Sequence, residues 1–291
     1  MRTLAKLFII FTALLGLAVA FAWKHFTAPD KPERGPSATA SPSTAQERTA
    51  KPSLSTTPAP APQADAVAAF EALKQRAKGG DAVSQRLLAQ TYAACFLPNL
   101  SRANFISSYQ YVQKMKPEQA AEIDRVVRQR LQQCDAVEGG AIIPMQLING
   151  WYAQAAANGD LAARAVMFSR QKEPLDTASV TQFMDDVVAS GDPAAMYSIG
   201  NTAGERFASK VGEPYNALLA GPLAGTAWAL AACRMGYDCG PDSLAATDFC
   251  LSISRCEGES VEELMFALAP TDADRAALEQ KIQQILDAVA P

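Results

Sequence analysis

Apolar side chains recur at intervals of three and four residues along most of the chain after residue 65, as on one face of an α-helix. The clearest case begins at Pro117, a residue suited to a first helical turn, and ends before Gly139 and Gly140. Its apolar face carries Ile123, Val126, Val127, Leu131 and Cys134. No segment alternates apolar and polar residues in the way that strands require. The pattern therefore predicts an all-α domain over residues 66 to 291.

The C-terminal segment repeats the same spacing. Its apolar positions are Leu278, Ile282, Ile285, Leu286 and Val289. Thr271 and Asp272 precede them as candidates for the helix N-cap. A long terminal helix is therefore predicted from about residue 272 onward.

A Gly-Asp pair recurs between the predicted helices, at Gly80-Asp81, Gly159-Asp160 and Gly191-Asp192. A variant without the Asp lies at residues 232 to 236. Glycine can end a helix in the left-handed conformation, and aspartate is a preferred cap for the helix that follows. Each pair therefore predicts the turn of a helical hairpin.

The sequence around two of these turns resembles the junctions of Sel-like repeats, which are related to tetratricopeptide repeats. The two segments are LKQRAKGGDAVSQRLLAQTYAAC and WYAQAAANGDLAARAVMF. The resemblance implies antiparallel helix pairs that stack as an irregular α-solenoid with a concave protein-binding face. The chain departs from the family pattern because the intervals are irregular, the loops lack a GxGV phrase, and Ala89 replaces the usual glycine after Leu88. An irregular, Ala-rich helical bundle is the alternative.

Residues 7 to 23, LFIIFTALLGLAVAFAW, form an uncharged apolar run behind Arg2 and Lys6. Such a run is at the short end of what spans a bilayer core of roughly 30 Å. One interpretation is a signal peptide with cleavage after Ala20 or Ala22. The other is an uncleaved anchor with Trp23 at the interface. We favour a membrane anchor over residues 1 to 26, because the segment that follows is a tether.

Residues 27 to 65 contain eight prolines among Ser, Thr, Ala and a few charges, with Leu54 as the one large aliphatic side chain. This composition cannot bury enough surface to offset the entropy of ordering a chain. It predicts a disordered linker, in part polyproline, and a proline-rich docking ligand is the minor alternative. A bitopic inner-membrane protein with a periplasmic domain is the expected layout, and a cleaved, soluble periplasmic or secreted form is the alternative.

Charge separates the two parts of the chain. Residues 1 to 65 hold seven Lys or Arg against four Asp or Glu, and residues 66 to 291 hold 19 against 26. Nucleic acids and anionic lipid surfaces attract basic stripes, which a mildly acidic domain does not offer. We therefore expect no nucleic-acid partner, and membrane contact only through the N-terminal helix.

All six cysteines lie in the predicted helical domain, and an even number in an exported chain favours disulfides. Cys95 and Cys134 each end an apolar stripe, so we pair them with each other. The other four have the spacing C-x5-C-x10-C-x5-C. Nested pairs (Cys233 with Cys256, Cys239 with Cys250) and local pairs (Cys233 with Cys239, Cys250 with Cys256) both fit, with a slight preference for the nested pairs. Zinc and redox motifs favour CxxC spacing, so no metal or cofactor is inferred.

The one histidine is His25, two residues beyond the apolar run, so the helical domain has no imidazole for a Ser-His-Asp triad or a zinc site. Carboxylate chemistry on glycans is the catalytic class that remains. Glu259-Ser260 is the only Glu-Ser pair of the kind that lytic enzymes of the cell wall use, but Ser260 with Glu263 fits a helix-capping box better. Asp185 and Asp186 are interpreted as a solvated helix face.

Residues 217 to 233 form a second uncharged run, which Ala, Gly and Pro222 make weakly hydrophobic. We interpret it as an interior helix pair broken at Gly221-Pro222, with Trp228 in the core. Tyr92, Trp151, Tyr152 and Tyr197 are possible partner-binding residues, although aromatic residues at helical spacing also form cores.

These patterns favour a non-catalytic protein-interaction scaffold or adaptor of the bacterial cell envelope, with a protein partner and no small-molecule substrate. A membrane-tethered steric chaperone or assembly factor for an exported partner is the alternative. A carboxylate-dependent envelope glycan hydrolase is the third hypothesis.

Overall fold

The computed structural model describes residues 64–256 and 258–289. The predicted membrane segment and all but the last two residues of the predicted linker lie outside this part of the chain. The described part contains fourteen α-helices and no strand. They are α1 (Ala64–Lys78), α2 (Ala82–Leu100), α3 (Arg102–Met115), α4 (Ala120–Ala136), α5 (Met145–Ala157), α6 (Leu161–Arg170), α7 (Thr177–Ser190), α8 (Pro193–Ser198), α9 (Gly204–Ala208), α10 (Tyr215–Leu219), α11 (Ala224–Arg234), α12 (Leu244–Ile253), α13 (Val261–Phe266) and α14 (Asp272–Val289). The all-α prediction is confirmed.

The three Gly-Asp pairs form the predicted turns. Gly80, Gly159 and Gly191 have positive φ angles of 92°, 95° and 58°. The carboxylates of Asp81, Asp160 and Asp192 accept hydrogen bonds from backbone N–H groups of Ser84, Ala163 and Ala194 at 3.0, 2.7 and 2.8 Å. The turn residues therefore end one helix and begin the next by the local mechanism that the sequence indicates.

Short turns make neighbouring helices antiparallel. Helix α1 pairs with α2, and α5 pairs with α6. The two hairpins are joined because α2 also packs along α5. In the C-terminal part, α11 packs against both α8 and α14, and α6 connects the halves by its contact with α8.

Three apolar clusters hold these helices together. The N-terminal cluster surrounds Leu88 and Tyr92, and a smaller one joins Ile123 and Leu131 of α4 to Leu251 of α12. The largest cluster lies in the C-terminal half and contains Phe183, Phe207 and Trp228, which are fully buried. The indole Nε1 of Trp228 donates to the Leu218 carbonyl at 3.2 Å.

Residues 217 to 233 form the end of α10 and the greater part of α11, with the break at residues 220 to 223. This agrees with the interior helix pair predicted there. Over residues 64–256 and 258–289, no helix has the length and apolar character that crossing a bilayer requires.

All six cysteines are paired. Cys95 and Cys134 form the predicted disulfide between α2 and α4. The preferred nested arrangement of the other four is wrong: Cys233 bonds to Cys239, and Cys250 bonds to Cys256. The physical reason is local. Helix α11 turns back immediately after Arg234, as α12 does after Ile253, so each cysteine at a helix end meets the next cysteine six residues later.

Candidate functional site

Seven helices, α2, α3, α4, α5, α6, α8 and α12, converge on one groove of about 670 Å³. This volume lies within the usual range for binding sites, about 300–1,000 Å³. One wall is the side of α2 that carries Gln90, Ala94 and Leu97, and the facing wall is α12. At the rim, Leu97 is 60% exposed and Leu244 is 39% exposed, so the groove presents apolar side chains to solvent.

Four tyrosines line the groove: Tyr109, Tyr152, Tyr197 and Tyr237. The rings of Tyr197 and Tyr237 stack with their centroids 4.2 Å apart and an interplanar angle of 18°. The guanidinium of Arg170 lies 4.6 Å from the centre of the Tyr152 ring, within the range of a cation–π interaction. These contacts restrict the movement of the Tyr152, Tyr197 and Tyr237 rings.

The phenols in the groove are held in their protonated form. Burial raises the pKa of Tyr152 and the pKa of Tyr197 to about 12. Burial also raises the pKa of Tyr109 and of Tyr237. At neutral pH the tyrosines are therefore uncharged O–H groups, and the groove gains no negative charge from them.

One ion pair lies in the groove. Arg130 of α4 places Nη2 2.6 Å from Oδ1 of Asp248, and its side chain is 5% exposed while that of Asp248 is 51% exposed. The guanidinium also donates to the Thr247 hydroxyl at 3.0 Å and to the Ala94 carbonyl at 3.4 Å. Among described residues, the buried Nε of Arg130 has no hydrogen-bond partner. Arg130 thus joins the two walls of the groove.

A second polar network connects the groove to the hairpin turns. Nε of Arg86 donates to both carboxylate oxygens of Asp160, at 3.0 and 2.9 Å. Nη1 of the same arginine donates to the Gln90 side chain at 3.3 Å, and Gln90 lines the groove. The turn before α6 is therefore linked through Arg86 to the α2 wall of the groove.

Two of the four predicted partner-binding aromatics lie in the groove and two do not. Tyr152 and Tyr197 line it, although they are only 5% and 9% exposed. Tyr92 does not line the groove and is 1% exposed in the N-terminal core, where its hydroxyl donates to Glu138, so its assignment to a binding surface is wrong. Trp151 packs beside the same core, and its Nε1 is buried without a hydrogen-bond partner in the described part of the chain. Tyr92 lies on the α2 face that contacts α1, opposite the groove.

Sequence reasoning missed Tyr109, Tyr237, Arg130 and Asp248. Tyr237 directly follows Gly236, which forms a turn with a φ of 102°. This place after a turn was the one sequence signal that could have marked Tyr237 as a groove residue. Nothing local marks the other three, because they reach the groove from three separate helices. Their proximity is a property of the packing.

The carboxylates considered for catalysis lie outside the groove. Ser260 and Glu263 form the predicted capping box of α13. Glu259 pairs with Arg255 at 3.5 Å, and Asp186 pairs with Arg164 at 2.7 Å. Among the described residues that line the groove, Asp248 is the only one with a carboxylate. Glycosidic cleavage requires two carboxyl groups, so these residues do not supply the pair.

The described residues include no group of three or more His, Cys, Asp or Glu side chains arranged to hold a metal ion. Searches find no protein-family model, curated protein or solved structure that matches this chain. The resemblance to Sel-like repeats therefore rests on the residues alone and stays a prediction.

Proposed function

We propose that this chain is a non-catalytic protein-interaction scaffold or adaptor of the bacterial cell envelope, and that the tyrosine-lined groove is its partner-binding surface. The groove itself is the observation that carries this proposal. It has apolar walls, an aromatic surface and one neutralised ion pair. Leu97 and Leu244 at the rim offer apolar area for a partner to bury, and the small exposed fractions of Tyr152 and Tyr197 add to it.

The hairpin architecture supports the same function. We propose that α1–α2, α5–α6 and the helices around them form an irregular α-solenoid of the Sel-like type, with the groove on its concave side. A concave surface built from several helices can accept a segment of another protein without a large rearrangement. The disulfides, which persist in oxidising compartments, fit a domain outside the cytoplasm.

We also propose that the N-terminal apolar run keeps the domain at the inner membrane, with the proline-rich segment as a spacer and the helical domain in the periplasm. Cleavage of the run would instead give a soluble exported protein. The intact mass of the protein purified from membranes distinguishes these forms, because loss of the first 20 or 22 residues marks cleavage.

Photocrosslinking in intact cells tests the binding surface. A benzophenone amino acid is placed at Leu97 or Leu244 on the rim, and at Leu268 as a control that is 53% exposed but does not line the groove. We expect both rim positions to capture the same protein and the control position not to capture it. Equal capture from all three positions, or no capture from the rim, would contradict the proposal.

A further inference from the structure

Helix α2 carries a second stripe, apolar except for Gln90, on the face turned away from the N-terminal core. Val83, Leu87, Gln90, Ala94 and Leu97 follow one another at intervals of four, three, four and three residues. Val83, Leu87 and Leu97 are 48%, 39% and 60% exposed. The opposite face of the helix, with Leu88, Tyr92 and Cys95, is buried in the N-terminal core. Helix α2 is therefore apolar on both sides.

The stripe is continuous with the groove. Gln90, Ala94 and Leu97 line the α2 wall, and Val83 and Leu87 extend the same face toward the start of the helix. At a rise of 1.5 Å per residue, the distance from Val83 to Leu97 is about 21 Å, or roughly four helical turns. Alternation of three and four residues is the spacing by which two helices pack side by side.

The polar groups of the groove argue against an extended occupant. A bound strand or polyproline segment has free backbone N–H or C=O groups that need partners. In this groove the Gln90 side chain accepts from Nη1 of Arg86 at 3.3 Å, and the hydroxyl of Ser252 donates to the Phe249 carbonyl at 2.7 Å. A helix satisfies its own backbone, so it does not depend on these two side chains for backbone hydrogen bonds.

Charge defines the occupant further. Arg130 and Asp248 neutralise each other, and they are the only Lys, Arg, Asp or Glu residues among those described as lining the groove. Residues 66 to 291 as a whole have 26 acidic and 19 basic side chains, which repels an acidic partner. The exposed part of the Asp248 carboxylate can accept a hydrogen bond from a basic side chain.

We propose that the groove and the α2 stripe bind one amphipathic α-helix of a partner protein, about four turns long, with apolar residues at three- and four-residue spacing and a neutral or basic polar face. This inference rests on the proposed function and specifies the kind of partner.

The arrangement of crosslinks on the partner tests the proposal. A benzophenone amino acid is placed at Val83 in one full-length protein and at Leu97 in another, and the captured residues are located by mass spectrometry. Because a helix rises 1.5 Å per residue, a helical partner along α2 should show the two sites about 14 residues apart. An extended partner should show them about six residues apart, since a strand rises about 3.3 Å per residue.

A spacing near six residues would overturn the helical partner and leave the interaction surface intact. No capture from either position would overturn both proposals. Capture of a second copy of this chain would also contradict the inference. Within the full-length protein, Leu87→Glu and Leu97→Glu should each reduce capture by a probe at Leu244 at least tenfold, whereas Leu268→Glu should not change it. Unchanged capture in both stripe variants would likewise overturn the inference.

Discussion

Arg86 and Asp160 form a buried ion pair between residues that are 74 positions apart in the chain, with both Nε–O distances near 3 Å. Their side chains are only 8% and 2% exposed. Arg86 lies in the first turns of α2, and Asp160 caps α6, so one contact joins the turn ends of the α1–α2 and α5–α6 hairpins.

Asp160→Asn should destabilise the domain by about 3–5 kcal/mol, because it leaves the Arg86 charge buried without its counter-charge. Asparagine caps a helix as well as aspartate does, so the cap itself is retained. Urea unfolding of the purified protein measures the loss. Asp81→Asn is the matched control, since Asp81 caps α2 in the same way but is exposed, and its unfolding midpoint should hardly change. Equal losses in the two variants would indicate that the cap, and not the ion pair, is responsible.

The local disulfides predict a distinctive tryptic map without reduction. Trypsin cuts after Lys210, Arg234, Arg255 and Arg275, which gives peptides 211–234, 235–255 and 256–275. Because Cys233 bonds to Cys239 and Cys250 bonds to Cys256, all three peptides should appear as one species. The nested arrangement would instead release peptide 235–255 with an internal bond. Mass spectrometry before and after reduction separates these results.

Gly200→Ala should destabilise the protein by about 1–3 kcal/mol through overpacking. A Cβ atom at this position would lie 2.5 Å from the Gly225 carbonyl oxygen and 2.7 Å from the Ala229 nitrogen, both backbone atoms of α11. Gly150 in α5 is the control, because a Cβ there meets no atom within 4 Å. Gly150→Ala should stabilise by about 0.5–1 kcal/mol, as alanine restricts the unfolded chain. Thermal unfolding of the two variants should therefore shift in opposite directions.

The buried tyrosines predict alkaline destabilisation. Burial raises the pKa of Tyr152 and of Tyr197 to about 12, whereas an unfolded tyrosine titrates near 10. Between these values the unfolded chain has lost protons that the folded protein retains. The free energy of unfolding should therefore fall as the pH rises from about 10 to about 12. Tyr152→Phe should reduce this slope, and phenolate absorbance with parallel urea titrations measures both effects. A slope that Tyr152→Phe leaves unchanged would count against the burial of this hydroxyl.

Short-range signals account for the parts of the fold that could be predicted. The Gly-Asp turns, the Ser260 capping box and the helix break near Pro222 each depend on residues within a few positions of one another. The disulfide between Cys95 and Cys134 was also predictable, because both cysteines continue apolar stripes of their helices. The pairing of the other four cysteines could not be predicted, because nested and local pairs both fit their spacing.

The sequence by itself determined the helical class, the turns, the even number of cysteines and the absence of imidazole from residues 66 to 291, because periodicity, capping and composition act locally. Only the tertiary structure decided that Tyr197 faces the groove while Tyr92 is buried beneath α1, although both follow helical spacing. It also decided that Arg130 meets Thr247, 117 residues away. Those outcomes depend on which helix faces pack together, and that choice is made by the whole core rather than by any one segment.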